Sequence, residues 1–123
     1  MAPGMSRTVL VVEDELVTRA MMSALLECHG FAVATAANGR EGLVEARRLH
    51  PCVIVLDLMM PIMSGEQFRR AQLEEPDIRD IPVVVLSARH DAAEVARQFK
   101  AAGFMPKPLD VDELVWVIEH QCH

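Results

Sequence analysis

The sequence predicts an open α/β domain, one parallel sheet with helices packed on both of its faces. Three observations predict it. Short apolar runs recur without the in–out alternation of a half-exposed strand, as expected where both faces of a strand are covered. Segments with helix-start signals lie between them. Four of the runs end on residues that carry chemistry: 8–12 leads into Glu13 and Asp14, 52–56 into Asp57, 83–86 into Ser87, and 104–106 into Lys107. In an open parallel sheet, ligands bind outside the carboxyl ends of the strands, where the strand order reverses.

The first strand, 8–12, precedes a helix over 15–29. Its apolar stripe is Met21, Met22 and Leu25, with Arg19, Ser23 and Glu27 opposite. Gly30 ends that helix as a left-handed cap would. Residues 31–36 form the second strand, and Pro51 stops the helix that follows it. Asn38 with Glu41, Ser64 with Gln67, Asp91 with Glu94, and Asp110 with Glu113 all have capping-box spacing. They place helices near 39–49, 65–74, 92–102 and 111–120. On the last helix Leu114, Val117 and Ile118 share a core face, and Trp116 falls on the far side among Asp112, Glu119 and His120. Pro106 removes a backbone donor from the last strand and is expected to limit pairing there. The alternation makes five β-α units of roughly 20–25 residues joined by right-handed crossovers. The expected fold is flavodoxin-like: a (βα)5 doubly wound domain, its five-stranded parallel sheet in the order 2-1-3-4-5.

At 123 residues the chain is one domain, large enough to bury a core. The apolar run over 53–60 is far too short to span a membrane, and no secretory signal opens the chain. Residues 1–7 are small and polar and read as a flexible N-terminal segment; the domain is expected over 8–121. A net charge of −6 argues against direct nucleic-acid binding. Cys28, Cys52 and Cys122 have no metal or redox spacing. Reduced cytosolic thiols are expected, with Cys28 and Cys52 as small core residues.

With the strand order 2-1-3-4-5, the ends of the first and third strands meet at the switch point, so Glu13, Asp14 and Asp57 converge. Carboxylates that close repel, and at least one pKa rises unless a cation resolves the conflict. An all-oxygen site suits magnesium. Asp57 is the natural nucleophile, since carboxylates form aspartyl phosphates. Lys107 supplies positive charge to phosphoryl oxygens and Ser87 a hydrogen bond. Each residue also has an ordinary reading: a solvated helix start, an exposed lysine before Pro108, a loop hydroxyl. Their common place at strand ends, and the cost of a lone carboxylate closing a buried strand, favour the site.

These residues resemble the receiver domain of bacterial two-component response regulators. The matching motifs are Val11-Val12-Glu13-Asp14-Glu15, Asp57-Leu58-Met59-Met60-Pro61-Ile62-Met63-Ser64-Gly65, Ser87-Ala88 and Lys107-Pro108, with Ala102-Gly103, Phe104 three before the lysine, and Asn38-Gly39 at fitting spacings. The resemblance covers residues 8–120. It implies that Asp57 accepts phosphate from a histidine kinase or a histidine phosphotransfer protein. It implies that Glu13, Asp14 and Asp57, with the Met59 carbonyl, hold magnesium. Ser87 and Phe104 would form a switch pair, the hydroxyl moving to the phosphate as the ring turns inward. The chain would then be a phosphoacceptor rather than an enzyme, at most catalysing its own phosphorylation and slow dephosphorylation. It would work in the cytoplasm, with a downstream protein target and a possible phosphorylation-dependent dimer.

Two alternatives stand beside this reading. A haloacid-dehalogenase-like phosphatase also uses aspartate, magnesium, lysine and serine, but the place of its second aspartate is Met59 here. A receiver-like module that no longer takes phosphate is the other, and intact Asp14, Asp57 and Lys107 argue against it. Met59 and Arg89, each two residues after a site residue, are expected to flank the route of an attacking water and shield the acyl phosphate. Trp116 is expected on a partner surface, because tryptophan in water is costly and common at hot spots. No output domain follows, which fits a stand-alone receiver or one cut from a longer regulator or hybrid kinase.

Overall fold

The computed structural model describes residues 7–122. The strands are β1 (Thr8–Val12), β2 (Ala32–Ala36), β3 (Val53–Asp57), β4 (Val83–Ser87) and β5 (Gly103–Pro106). The helices are α1 (Leu16–Cys28), α2 (Gly39–Leu49), α3 (Gly65–Leu73), α4 (Ala92–Gln98) and α5 (Val111–Gln121). All strand pairs are parallel, and the sheet order is β2-β1-β3-β4-β5, the flavodoxin-like (βα)5 arrangement.

The lack of alternation in β1, β3 and β4 now has its cause. Leu10, Val12, Ile54, Leu56, Val83 and Val85 pack with Leu43, Phe68 and Ala96 on one face, under α2, α3 and α4. Val9, Val11, Val53, Val55, Val84 and Leu86 pack with Met22, Leu26, Leu114 and Ile118 on the other, under α1 and α5. Each strand is thus apolar on both sides.

Three of the four expected caps form. Asn38 accepts from the Glu41 N–H at 3.0 Å, Asp110 from the Glu113 N–H at 3.1 Å, and Ser64 and Gln67 cap each other reciprocally. Asp91 makes no cap bond; its carboxylate is held by the Arg89 guanidinium at 2.9 and 2.8 Å. α1 is capped by Glu15, which accepts from Val17 and Thr18. Gly65 lets α3 start directly against the end of β3. A Cβ there would lie 2.5 Å from the Asp57 carbonyl oxygen and 2.7 Å from the Leu58 Cα.

Several expectations are corrected. α4 ends at Gln98, short of 102, because Lys100 adopts a left-handed conformation (φ 54°) and the Ala101 N–H turns back to the Ala96 carbonyl. A non-glycine in that role leaves no sequence signal. The core stripe of α1 is Met22 and Leu26 with Leu25 half-buried, while Met21 faces out. On α5, Val115 joins Leu114 and Ile118 in the interior and Val117 is half-buried. Arg7 is held, its guanidinium donating to the Cys122 carbonyl at 3.3 Å and lying over the Phe31 ring; the rest of the expected flexible segment, 1–6, lies outside the described residues. Pro106 costs the sheet no ladder bond. The Lys107 N–H donates to the Ser87 carbonyl, so the neighbouring nitrogen of Pro106 points to the open edge.

The cysteine reading fails most clearly. Cys28 is exposed on α1, and Cys52 is joined to Cys122 by a disulfide with a Cα–Cα distance of 5.4 Å. Spacing along the chain, here 70 residues, carries no signal of such a pairing. The bond ties the end of α5 to the start of β3. Closing a loop of that length stabilises by about 4 kcal/mol in the chain-entropy view. Cys122→Ser should therefore lower the urea midpoint of the oxidised protein and leave that of the reduced protein nearly unchanged. Equal midpoints for oxidised wild type and variant would refute the tether.

Candidate phosphoacceptor and metal site

Register builds the site. Val12 pairs with Leu56, so the next residues, Glu13 and Asp57, come to lie side by side at the switch point between β1 and β3. Asp57 pairs in turn with Leu86, the residue before Ser87, and Ser87 pairs with Pro106, the residue before Lys107. Register therefore sets Glu13, Asp57, Ser87 and Lys107 at the carboxyl ends of neighbouring strands.

Glu13 and Asp57 are buried, at 1% and 4% exposure, and Asp14 is exposed beside them. One carboxylate oxygen from each of the three lies within 4.8 Å of the others. The Lys107 ammonium sits 2.8 Å from Glu13 Oε1 and 3.5 Å from Asp57 Oδ2. The Glu15 N–H donates to Glu13 Oε2 at 3.2 Å, and the Met59 N–H to Asp57 Oδ1 at 3.2 Å. Ser87 is buried, its Oγ accepting from the Arg89 N–H at 3.1 Å. Phe104 lies on β5 opposite Val85, half-buried against the face that carries α2, α3 and α4. Arg19, expected on the outer polar face of α1, instead donates to the carbonyls of Glu13 and Asp14 at 2.8 and 3.3 Å. A basic residue one to two turns beyond an acidic strand end is the only trace of that contact in the sequence.

Burial pushes the Asp57 carboxyl up to about 7, and the neighbouring Glu13 adds to the rise against the Met59 N–H and Lys107. Burial also pushes Glu13 up, but hydrogen bonding to Lys107, Asp57 and the Glu15 amide outweighs it and holds its pKa below the usual range. The two carboxylates share one lysine and respond in opposite directions.

The donor set fits a hard divalent cation. It is all oxygen, and it carries three carboxylates against one ammonium. Buried Glu13 Oε1 has the Lys107 ammonium 2.8 Å away but not in good hydrogen-bond alignment, which leaves it room for a cation. The cleft beside the site has a volume of about 370 Å3 and is lined by Asp14, Met59, Glu66 and Arg89 among others. Trp116 is remote from it, 64% exposed on α5 and stacked on His120 at 4.9 Å.

Residues 9–119 match the response regulator receiver domain family. The chain is 36% identical over 117 residues to the probable transcriptional regulatory protein TcrX of Mycobacterium tuberculosis, covering 93% of this chain and 49% of that protein. It is 37% identical over 113 residues to the phosphate regulon transcriptional regulatory protein PhoB of Escherichia coli K12, covering 90% and 49%. The chain thus spans about half the length of these two relatives. The structure superposes on that of the chemotaxis protein CheY4 of Vibrio cholerae with a TM-score of 0.85 and 30% identity, covering 94% of this chain and 98% of that one. With the fold, the cluster of acidic strand ends and these likenesses in agreement, the chain belongs to the receiver domain family of two-component response regulators.

Proposed function

We propose that Asp57 is the phosphoacceptor of this receiver domain, taking its phosphoryl group from a sensor histidine kinase or a histidine phosphotransfer protein. The observation that carries this is the Lys107 ammonium set between two buried carboxylates, 2.8 Å from Glu13 and 3.5 Å from Asp57. In the transfer, Asp57 Oδ bonds to phosphorus as the phosphorus–nitrogen bond of the donor imidazole breaks, and the imidazole keeps the electron pair. Lys107 neutralises phosphoryl oxygens, and the Ser87 hydroxyl donates to one of them. Magnesium held by Glu13, Asp14, Asp57 and the Met59 carbonyl would supply further charge neutralisation. Ser87 and Phe104 are the switch pair in this reading.

The energies suit a switch. Phosphorylation turns a charge of about −1 into nearly −2. One extra charge at ~4 Å from a cation is worth about 4 kcal/mol at an effective dielectric of 20, against roughly 5.5 kcal/mol to invert a two-state element fully. The chain would be no enzyme beyond promoting its own phosphorylation and slow dephosphorylation. The phosphatase reading lacks its general acid, since Met59 stands at that position. The working unit is the receiver domain over 8–121. No helix among the described residues is long and apolar enough to cross a membrane. We place the domain in the cytoplasm by its likeness to the family, where the Cys52–Cys122 bond would meet reducing conditions.

Asp57 should take phosphate from acetyl phosphate only with magnesium, and Asp57→Asn should abolish it. A surviving mass shift of one phosphate in that variant would sink the assignment. Asp14→Ala should keep the fold but cut metal affinity and phosphorylation sharply.

The raised pKa of Asp57 has a stability consequence in metal-free buffer. A pKa higher in the fold than in the unfolded chain means that folding favours the protonated form. That stability is full below about pH 4 and is lost as pH rises through about 7. Asp57→Asn should therefore gain on the wild type between pH 5 and 8, by on the order of 2 kcal/mol. Magnesium should stabilise the wild type much more than the variant. Parallel stability curves against pH would remove the buried-charge argument.

Trp116 is proposed as part of the surface that meets a target, a kinase or a second receiver. Trp116→Ala should weaken the activated complex or dimer by roughly 2 kcal/mol while phosphorylation proceeds normally. Identical sedimentation and target pull-down for the two proteins, with and without beryllofluoride, would reduce the residue to packing on His120.

A further inference from the structure

Arg89 is the one cation among the residues that line the cleft with Asp14, Met59 and Glu66. Its guanidinium is engaged elsewhere. Nε and Nη2 donate to the two oxygens of Asp91 at 2.9 and 2.8 Å, and Nη1 donates to Glu66 Oε1 at 2.8 Å. Its own N–H meanwhile donates to Ser87 Oγ at 3.1 Å, which ties the guanidinium-bearing loop to the site. The clamp diverts Asp91. This residue stands at the N-cap of α4 with φ −96° and ψ 7° and makes no cap bond, whereas Asn38, Ser64 and Asp110 are extended and all cap their helices.

We propose that Arg89 is a further phosphoryl-binding residue, held in reserve by Glu66 and Asp91 and transferred to the phosphoryl group when Asp57 is phosphorylated. The inference rests on the phosphoacceptor reading of Asp57. Charge motivates the transfer. With a divalent cation held, Glu13, Asp14, Asp57, Lys107 and the ion sum to zero. Phosphorylation adds close to one negative charge, and nothing in that set neutralises it. Guanidinium forks match phosphoryl oxygens bidentately. The present partners hold Arg89 less firmly. The Arg89, Glu66 and Asp91 side chains are all partly open to water, where ion pairs are worth little and are screened by salt. Beside buried Glu13, Asp57 and Ser87 a charge contact is screened less. Departure of Arg89 releases Asp91, whose carboxylate can accept from first-turn amides of α4 once its ψ swings to the extended region. The start of α4 thereby reports the state of the cleft.

The test titrates beryllofluoride, with magnesium, into wild type, Arg89→Ala, Arg89→Gln, Asp91→Ala and Glu66→Gln by calorimetry, and follows amide exchange at Glu94. Both Arg89 variants should bind about tenfold more weakly, the loss of one charge-assisted hydrogen bond. Glu66→Gln, which loosens the clamp and leaves Asp91 able to cap, should bind more tightly, and Asp91→Ala should show no gain in Glu94 protection. A network that is merely structural would weaken binding in all four. The Glu94 amide should gain protection on beryllofluoride binding in wild type, and show it without ligand in Arg89→Ala. Unchanged affinity in the Arg89 variants, or weakened binding in Glu66→Gln, overturns this inference alone. Absence of binding in wild type overturns the phosphoacceptor reading and this inference with it.

Discussion

Glu13 and Asp57 are brought side by side by the β1–β3 register and buried there together, an arrangement that two carboxylates resist. Lys107 makes it tolerable, and only in part, since one ammonium serves two acids and Asp57 keeps a strong hold on its proton. Much else around the pocket answers to this charge imbalance. The Met59 and Glu15 amides turn toward the carboxylates, and Arg19 braces the backbone that carries Glu13 and Asp14. The site is thus a preformed demand for positive charge, and its chemistry follows from that demand.

The double-sided core is what lets the fold sustain the conflict. β3 and β4 are buried along their whole lengths, so their ends cannot drift apart to relieve repulsion without exposing apolar surface on both faces at once. Gly65 tightens the arrangement further, because α3 begins against the backbone of Asp57 and Leu58 with no space for a side chain. Rigidity at the strand ends therefore comes from the sheet register and from close backbone packing.

The sheet and the acidic pocket were legible because both are written in local pattern. Apolar runs closing on Asp57 and Ser87, and the Asn38, Ser64 and Asp110 caps, each need only a few neighbouring residues to read. What could not be read depends on contacts across the chain. Cys52 and Cys122 meet only because α5 returns along the face of β3, 70 residues later. Asp91 has the spacing of a cap and loses the role to Arg89, a competition that spacing cannot rank. The inward face of α1 is set by docking on Val9 and Val11, which buries Met22 and Leu26 in place of Met21.

The two ends of α4 are held by different physics. At its C-terminal end buried Arg69 donates to the carbonyls of Phe99 and Lys100 at 3.1 and 3.3 Å, and to Gln72 at 2.8 Å. Gln72 in turn donates to Ile78 and Ile81 at 2.9 Å. Burial of that guanidinium lowers its pKa, and removing any acceptor would leave a charged donor unsatisfied in the interior. At its N-terminal end the helix has no side-chain cap and relies on a turn that partly exposed ion pairs secure. The first attachment is costly to break, and the second is replaceable by any stronger partner for Arg89. On the proposed transfer of Arg89, a rearrangement begun in the cleft would be expressed at the start of α4, with the Arg69 end as its fixed point.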